Sequence, residues 1–151
     1  MIVDDCPVLP SRAPDMSDLL DLSPLCRAVA RLREGWDRYA QDITDTQIRD
    51  GLIQRFEFAY EISHKMLKRF LELTSASPAE FDAMTFQDLI RTGNERGLLC
   101  GDWPAWREYR DMHSRTRHTY AEDVALQVVA GIPEFLDEAA FLLERLTAEQ
   151  A

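Results

Sequence analysis

Residues 45–73 read DTQIRDGLIQRFEFAYEISHKMLKRFLEL, and their spacing decides the fold. Ile48, Leu52, Phe56, Ala59, Ser63, Met66 and Phe70 recur at steps of three and four, the period of an α-helix with one buried face. The helix starts near Thr44 or Asp45 and keeps its rhythm to about Leu73. Phe58 and Ile62 point away from the stripe, so apolar surface covers roughly 200° of the cylinder. Such a helix is central in a bundle, or it carries a second face for a partner.

Toward the N-terminus, Ser23-Pro24 pairs a capping side chain with a proline suited to the first helical turn. Leu25, Val29, Leu32, Trp36, Tyr39 and Ile43 follow in the same rhythm, which predicts a helix of about 20 residues. Residues 1–22 hold Pro7, Pro10 and Pro14 among Ser and Asp and read as a mobile tail, with a short turn near 16–20.

Toward the C-terminus, a loop over 74–77 precedes Pro78. Thr85-Phe-Gln-Asp88 resembles a capping box and opens a short helix to about Glu95, ending near Gly97. Asp102 is a cap for a helix through Trp106, Tyr109 and Met112. The last helix begins between Thr116 and Ala121. Its apolar stripe is Val124, Ala125, Val128, Ile132, Phe135, Leu136, Ala139, Leu142, Leu143 and Leu146. Pro133 predicts a kink there and not a break, because the apolar phase continues across it. The reading is all-α: an up-and-down four-helix bundle over 23–148, with an additional short helix and the N-terminal tail.

Composition bounds the function. The 151 residues make one domain, with 46% hydrophobic and 29% charged residues, a globular balance. The 17 basic and 27 acidic side chains leave a net charge of -10, which opposes non-specific binding to nucleic acid or anionic membrane. Three cysteines without a C-x-x-C pair do not predict a disulfide framework or a zinc site; Cys26 and Cys100 read as small apolar packing residues. The acidic first residues lack a signal-peptide pattern, and no apolar run is long enough to span a membrane. A soluble, cytoplasmic protein without cofactor is expected.

One segment departs from this background. Residues 103–120, WPAWREYRDMHSRTRHTY, hold four arginines, two histidines and four aromatics. If the helix persists, Arg107, Arg110, Ser114 and Arg117 share one side of it, with His113 beside them. Arginine offers a planar fork for phosphate oxygens, and histidine exchanges protons near neutrality. The set, with Arg115 included, suits phosphodiester recognition or cleavage, and the Tyr120 hydroxyl suits the acceptor role in a group transfer. The plainer alternative pairs these arginines with surplus carboxylates. Glu57, Glu61 and Lys65 form an i, i+4, i+8 ladder; helix-pair physics reads it as a solvated, ion-paired face, with Glu57 and Lys65 as secondary binding candidates. No His or Cys spacing offers a metal-ligand set: His113 and His118 are five apart, and His64 has no counterpart at metal spacing.

The stretch from Arg55 to Leu71, RFEFAYEISHKMLKRFL, resembles the "RFE…E..WK.LK.YL" helix of the nucleotidyltransferase substrate-binding protein family. Ser77-Pro78, Gly97-Leu98-Leu99 and Thr116-Arg-His-Thr-Tyr120 resemble that family's "SP", "GLI" and "TSHTY". The resemblance spans roughly 25–146 and implies a four-helix bundle of the HEPN group that dimerises and complexes with a minimal (MNT-type) nucleotidyltransferase. In the toxin–antitoxin branch, an Arg-x(4–6)-His motif is a metal-independent ribonuclease site, silenced when the partner adds AMP to the tyrosine of His-x-Tyr. On this chain the resemblance assigns His118 to the motif histidine and Tyr120 to the acceptor. The motif arginine is not matched: the permitted spacings reach His113, Met112 and Asp111. The family tryptophan is His64 here. Arg110 lies about two turns before His118 in an unbroken helix and is the substitute for the missing arginine. The resemblance therefore implies a binding subunit first, and a ribonuclease that would bind RNA second.

Overall fold

The computed structural model describes residues 19–151. The tail expected over 1–22 lies outside them as far as residue 18, as does the start of the turn expected near 16–20. Five helices make the described chain: α1 (Ser23–Gln41), α2 (Thr46–Leu73), α3 (Phe86–Glu95), α4 (Trp103–Arg115) and α5 (Glu122–Gln150). Two 3-10 turns, Pro78–Phe81 and Thr116–His118, lie in the links, and no strand occurs among the described residues. α1, α2, α4 and α5 form the four-helix bundle, and short α3 packs beside α2 and α4.

The packed structure begins before Ser23. Leu20 and Leu22 are buried, and the Gln150 side chain at the end of α5 bonds both backbone groups of Leu20, at 2.8 and 3.1 Å. Residues 20–22 thus belong to the bundle rather than to a tail, because two leucines gain more from burial than a loose end gains in entropy. Ser23 is also not the cap of α1. It is the first helical residue, and its amide donates to Asp21 Oδ1 at 3.0 Å. The other starts follow the sequence. Asp45 Oδ1 accepts from the amides of Gln47 and Ile48, Thr85 Oγ1 from Asp88, and Asp102 Oδ1 from Trp103.

α3 stops at a left-handed glycine, Gly97 with φ 75°, where the Leu98 amide reaches back to the Gly93 carbonyl at 2.9 Å. α5 runs unbroken through Pro133. Its stripe is buried as expected at eight positions, while Val124 and Leu143 are only half-buried. Gly131 lets α4 approach α5: a Cβ there would lie 2.5 Å from the Met112 sulfur.

The centre is aromatic. Phe56 meets Phe135 edge-on at 5.2 Å, and Trp106 meets Tyr109 at 5.4 Å and Phe135 at 6.0 Å. Trp106, Phe56 and Phe135 are wholly buried, so rings from α2, α4 and α5 lock together. Cys26 is buried in α1 and is disulfide-bonded, contrary to its reading as a plain packing residue, and Cys100 is exposed with a free thiol, contrary to its expected packing role. The loop that carries it is instead held by its backbone. Buried Glu138 of α5 accepts from the Cys100 amide at 2.7 Å and the Gly101 amide at 2.8 Å.

Burial pushes the Glu138 carboxyl above its usual range, against the two amides, which favour the charged form. Truncating it strands two donors. Glu138→Ala is expected to lower stability by about 2–4 kcal/mol in urea unfolding. A loss below the resolution of the measurement would show that water replaces the carboxylate.

Candidate functional site

The positive segment divides into two places. α4 ends at Arg115 and passes into the 3-10 turn; at the junction the Thr116 amide and Oγ1 both donate to the His113 carbonyl, the hydroxyl at 2.7 Å. The unbroken helix that would carry Arg110 to His118 is therefore not formed, and Arg117 leaves the side shared by its neighbours. Arg107, Arg110 and Ser114 do share one shallow concavity, together with Glu108 and Asp111. Arg115 is tied down by Asp111 at 3.1 Å and Gln127 at 2.6 Å.

The second place is the turn before α5. His118 is exposed, and its ring meets Tyr120 edge-on at 6.1 Å. Tyr120 is 86% exposed, the most open large apolar side chain described. Two bonds lie within the turn. Thr119 Oγ1 donates to the Thr116 carbonyl at 3.3 Å, and the Ala121 amide to the His118 carbonyl at 3.1 Å. Two residues beyond Tyr120, Glu122 pairs with buried Arg49 of α2 at 2.9 Å. This ion pair holds the Glu122 carboxyl below its usual range. α5 has no side-chain cap, so Glu122 and Asp123 supply the negative charge its first turn favours.

Arg110 faces elsewhere. Its guanidinium lies 5.5 Å from the Phe86 ring centre, on the side of α4 that meets α2 and α3. His64 sits edge-on to Phe86 at 4.7 Å and is half-buried. Desolvation, then the charges of Lys68, Arg110 and Lys65, lower its pKa from the ordinary value. His113 stacks on Tyr60 at 4.6 Å, and its Nε2 lies 3.0 Å from Glu61 Oε2. Burial pushes the Tyr60 phenol up to about 12.

Glu61 therefore turns to His113 across the helix interface. The ladder expected on α2 holds only in part, and Lys65 stands exposed. Glu57 joins the pair: one donor atom each from Glu57, Glu61 and His113 lie within 4.8 Å of one another. Sequence spacing does not find this set, because His113 is 52 residues from Glu61. Arg49 was likewise invisible as an anchor, lying on α2 far from the turn in sequence. Ile62 packs against the core, whereas Phe58 remains 53% exposed beside Ala28, Arg31, Gln54 and Arg55. Among the described residues no helix is long and apolar enough to cross a membrane.

Residues 20–148 match the family model described as nucleotidyltransferase substrate binding protein like. The chain is 39% identical over 140 residues to a Haemophilus influenzae protein named probable ribonuclease HepT, covering 87% of this chain and 94% of the relative. A solved Haemophilus influenzae structure, described as revealing the fold of a substrate binding domain of a nucleotidyltransferase, superposes with a TM-score of 0.78. That match has 36% identity and covers 83% of this chain and 98% of the other.

His64 supplies a pH signature. Its folded pKa is lowered, so the unfolded chain binds this proton more readily. Its contribution to stability is present above the ordinary value of 6.5 and is lost as pH falls through the folded value. Proton NMR is expected to show His64 titrating below 6.5. Stability curves against pH are expected to flatten in this range for His64→Gln. An ordinary or raised titration midpoint would contradict its half-buried placement beside Lys68, Arg110 and Lys65.

Proposed function

The chain belongs to the nucleotidyltransferase substrate binding protein like family, and we propose that it is the partner subunit of a small nucleotidyltransferase of the MNT type. Within that complex Tyr120 is the acceptor of AMP. The observation that carries this reading is the 86% exposure of Tyr120 on a turn whose backbone is closed by the Ala121 amide on the His118 carbonyl. An acceptor hydroxyl must enter another protein's active site, and an exposed, protruding phenol does so without first unfolding its surroundings.

The transfer balances simply. The Tyr120 oxygen bonds to the α-phosphorus of ATP, the bond from that phosphorus to the bridging β-phosphate oxygen breaks, and pyrophosphate leaves. The phenolic proton passes to a base, for which His118 is this chain's candidate. Arg107 and Arg117 remain exposed and able to meet phosphate oxygens. The exposed face around Phe58 is the contact for a second copy in a homodimer. With Tyr120 as acceptor, the pair functions as a toxin and its antitoxin in the cytoplasm.

A second reading, a HEPN-type metal-independent RNA endonuclease, is favoured by the name of the 39% identical relative. His118 would move the proton, and an arginine would hold the phosphate. Arg110 is a poor choice within one chain, because its guanidinium lies over Phe86 on the α2 and α3 side of α4. The net charge of -10 also weighs against free RNA binding.

Intact-mass measurement after incubation with a partner nucleotidyltransferase of the MNT type and ATP tests the first reading. Wild type is expected to gain mass in whole AMP units, and Tyr120→Phe to gain none. Equal gain in both would remove Tyr120 from the acceptor role. For the second reading, RNA cleavage in the presence of a chelator is expected to fall at least a hundredfold in His118→Ala. Cleavage that survives this change would rule out His118 as the proton carrier.

A further inference from the structure

We propose that Glu57, Glu61 and His113 form a binding site for a divalent transition-metal ion, with zinc the best fit. The donor set carries the choice of ion. Two carboxylates and one imidazole suit zinc and its neighbours, whereas calcium and magnesium favour all-oxygen shells. Three protein ligands leave a fourth tetrahedral position open. Solvent reaches it, since the His113 and Glu61 side chains are 27% and 46% exposed.

The distances fit with small adjustments. Three atoms no more than 4.8 Å apart have a common point within roughly 2.8 Å of each, against zinc–ligand distances of about 2.0–2.2 Å. His113 Nε2 and Glu61 Oε2 at 3.0 Å are already near the roughly 3.3 Å separation of two tetrahedral ligands. Glu57 and Glu61 stand one turn apart on α2, so a change of carboxylate rotamer closes the set without moving backbone. The imidazole is held in place by its stacking on Tyr60. A metal takes the position of the proton shared between Nε2 and the carboxylate, and it fastens α4 to α2.

A simple His–Glu tie between helices accounts for Glu61 and leaves Glu57 unexplained. Like charges at i, i+4 repel, and here both carboxylates converge on one neutral-capable ring. A dication neutralises both. The sequence hides this site because a helix pair and a distant histidine have no common spacing.

The test uses the full chain stripped with a chelator and exchanged into chelator-free buffer, in a Cys100→Ser background that removes the exposed thiol as a competing ligand. Zinc chloride is titrated calorimetrically, and melting temperature is followed with and without zinc. One equivalent per chain is expected, with a raised melting temperature. Glu57→Gln and Glu61→Gln, near-isosteric changes on the helix surface, are each expected to weaken binding at least tenfold. Their zinc-free melting temperatures should stay near that of the parent, which separates lost ligation from lost folding. His113→Asn is expected to abolish the response. No binding at submillimolar zinc would overturn the proposal. So would equal affinity in the parent and both glutamine variants.

Discussion

The aromatic contact of Trp106 with Tyr60, Tyr109 and Phe135 sets the rest of the structure. It joins α2, α4 and α5 at one point, with ring centres 5.4–6.2 Å apart. Fully burying such rings contributes several kcal/mol each, so the helices cannot slide without losing much of the domain's stability. Phe86 extends the same cluster to α3, at 6.4 Å from Trp106. The candidate chemistry is built on the outside of this cluster. His113 stacks on Tyr60, and Arg110 lies over Phe86.

Two buried charges then fix the loops that the rings do not reach. Glu138 replaces a helix-type partner for the amides of residues 100 and 101 and so sets where α4 begins. Arg49 reaches from α2 to Glu122 and sets where α5 begins, just after the His118–Tyr120 turn. Each is a charge kept in a packed interior because its removal would leave polar groups stranded. The chain is therefore anchored just after the turn bearing Tyr120, which stays exposed as the proposed acceptor role requires.

The positive segment makes two surfaces from one run of sequence. The break of α4 at Thr116 separates Arg107, Arg110 and Ser114 from Arg117, His118 and Tyr120. An anion on the first surface meets carboxylates of Glu108 and Asp111 as well as arginines, so it is not a simple basic patch. The second surface is dominated by an exposed aromatic and an imidazole. This division favours protein-directed group transfer at the turn over phosphodiester cleavage along α4.

The sequence by itself determined the helices, their order and most of their ends. The three-and-four rhythm of residues 48–70, the caps at Asp45, Thr85 and Asp102, and the Gly97 stop are local features, each decided by neighbours within a few residues. His118 and Tyr120 were singled out by resemblance to a short family motif, and the fold leaves both exposed on one turn. Tertiary structure alone decided which side chains from different helices meet. The Glu61–His113 contact, the Arg49–Glu122 pair and the Glu138 clamp join residues 37 to 73 positions apart, and spacing along a chain carries no signal at such separations. Whether Arg110 could reach His118 turned on where α4 stops, at Arg115 before the 3-10 turn. No glycine or proline marks that stop in the sequence, and hydroxyl-to-carbonyl bonds like that of Thr116 also lie inside α3 and α5, at Thr92 and Thr147, so local chemistry alone did not set it.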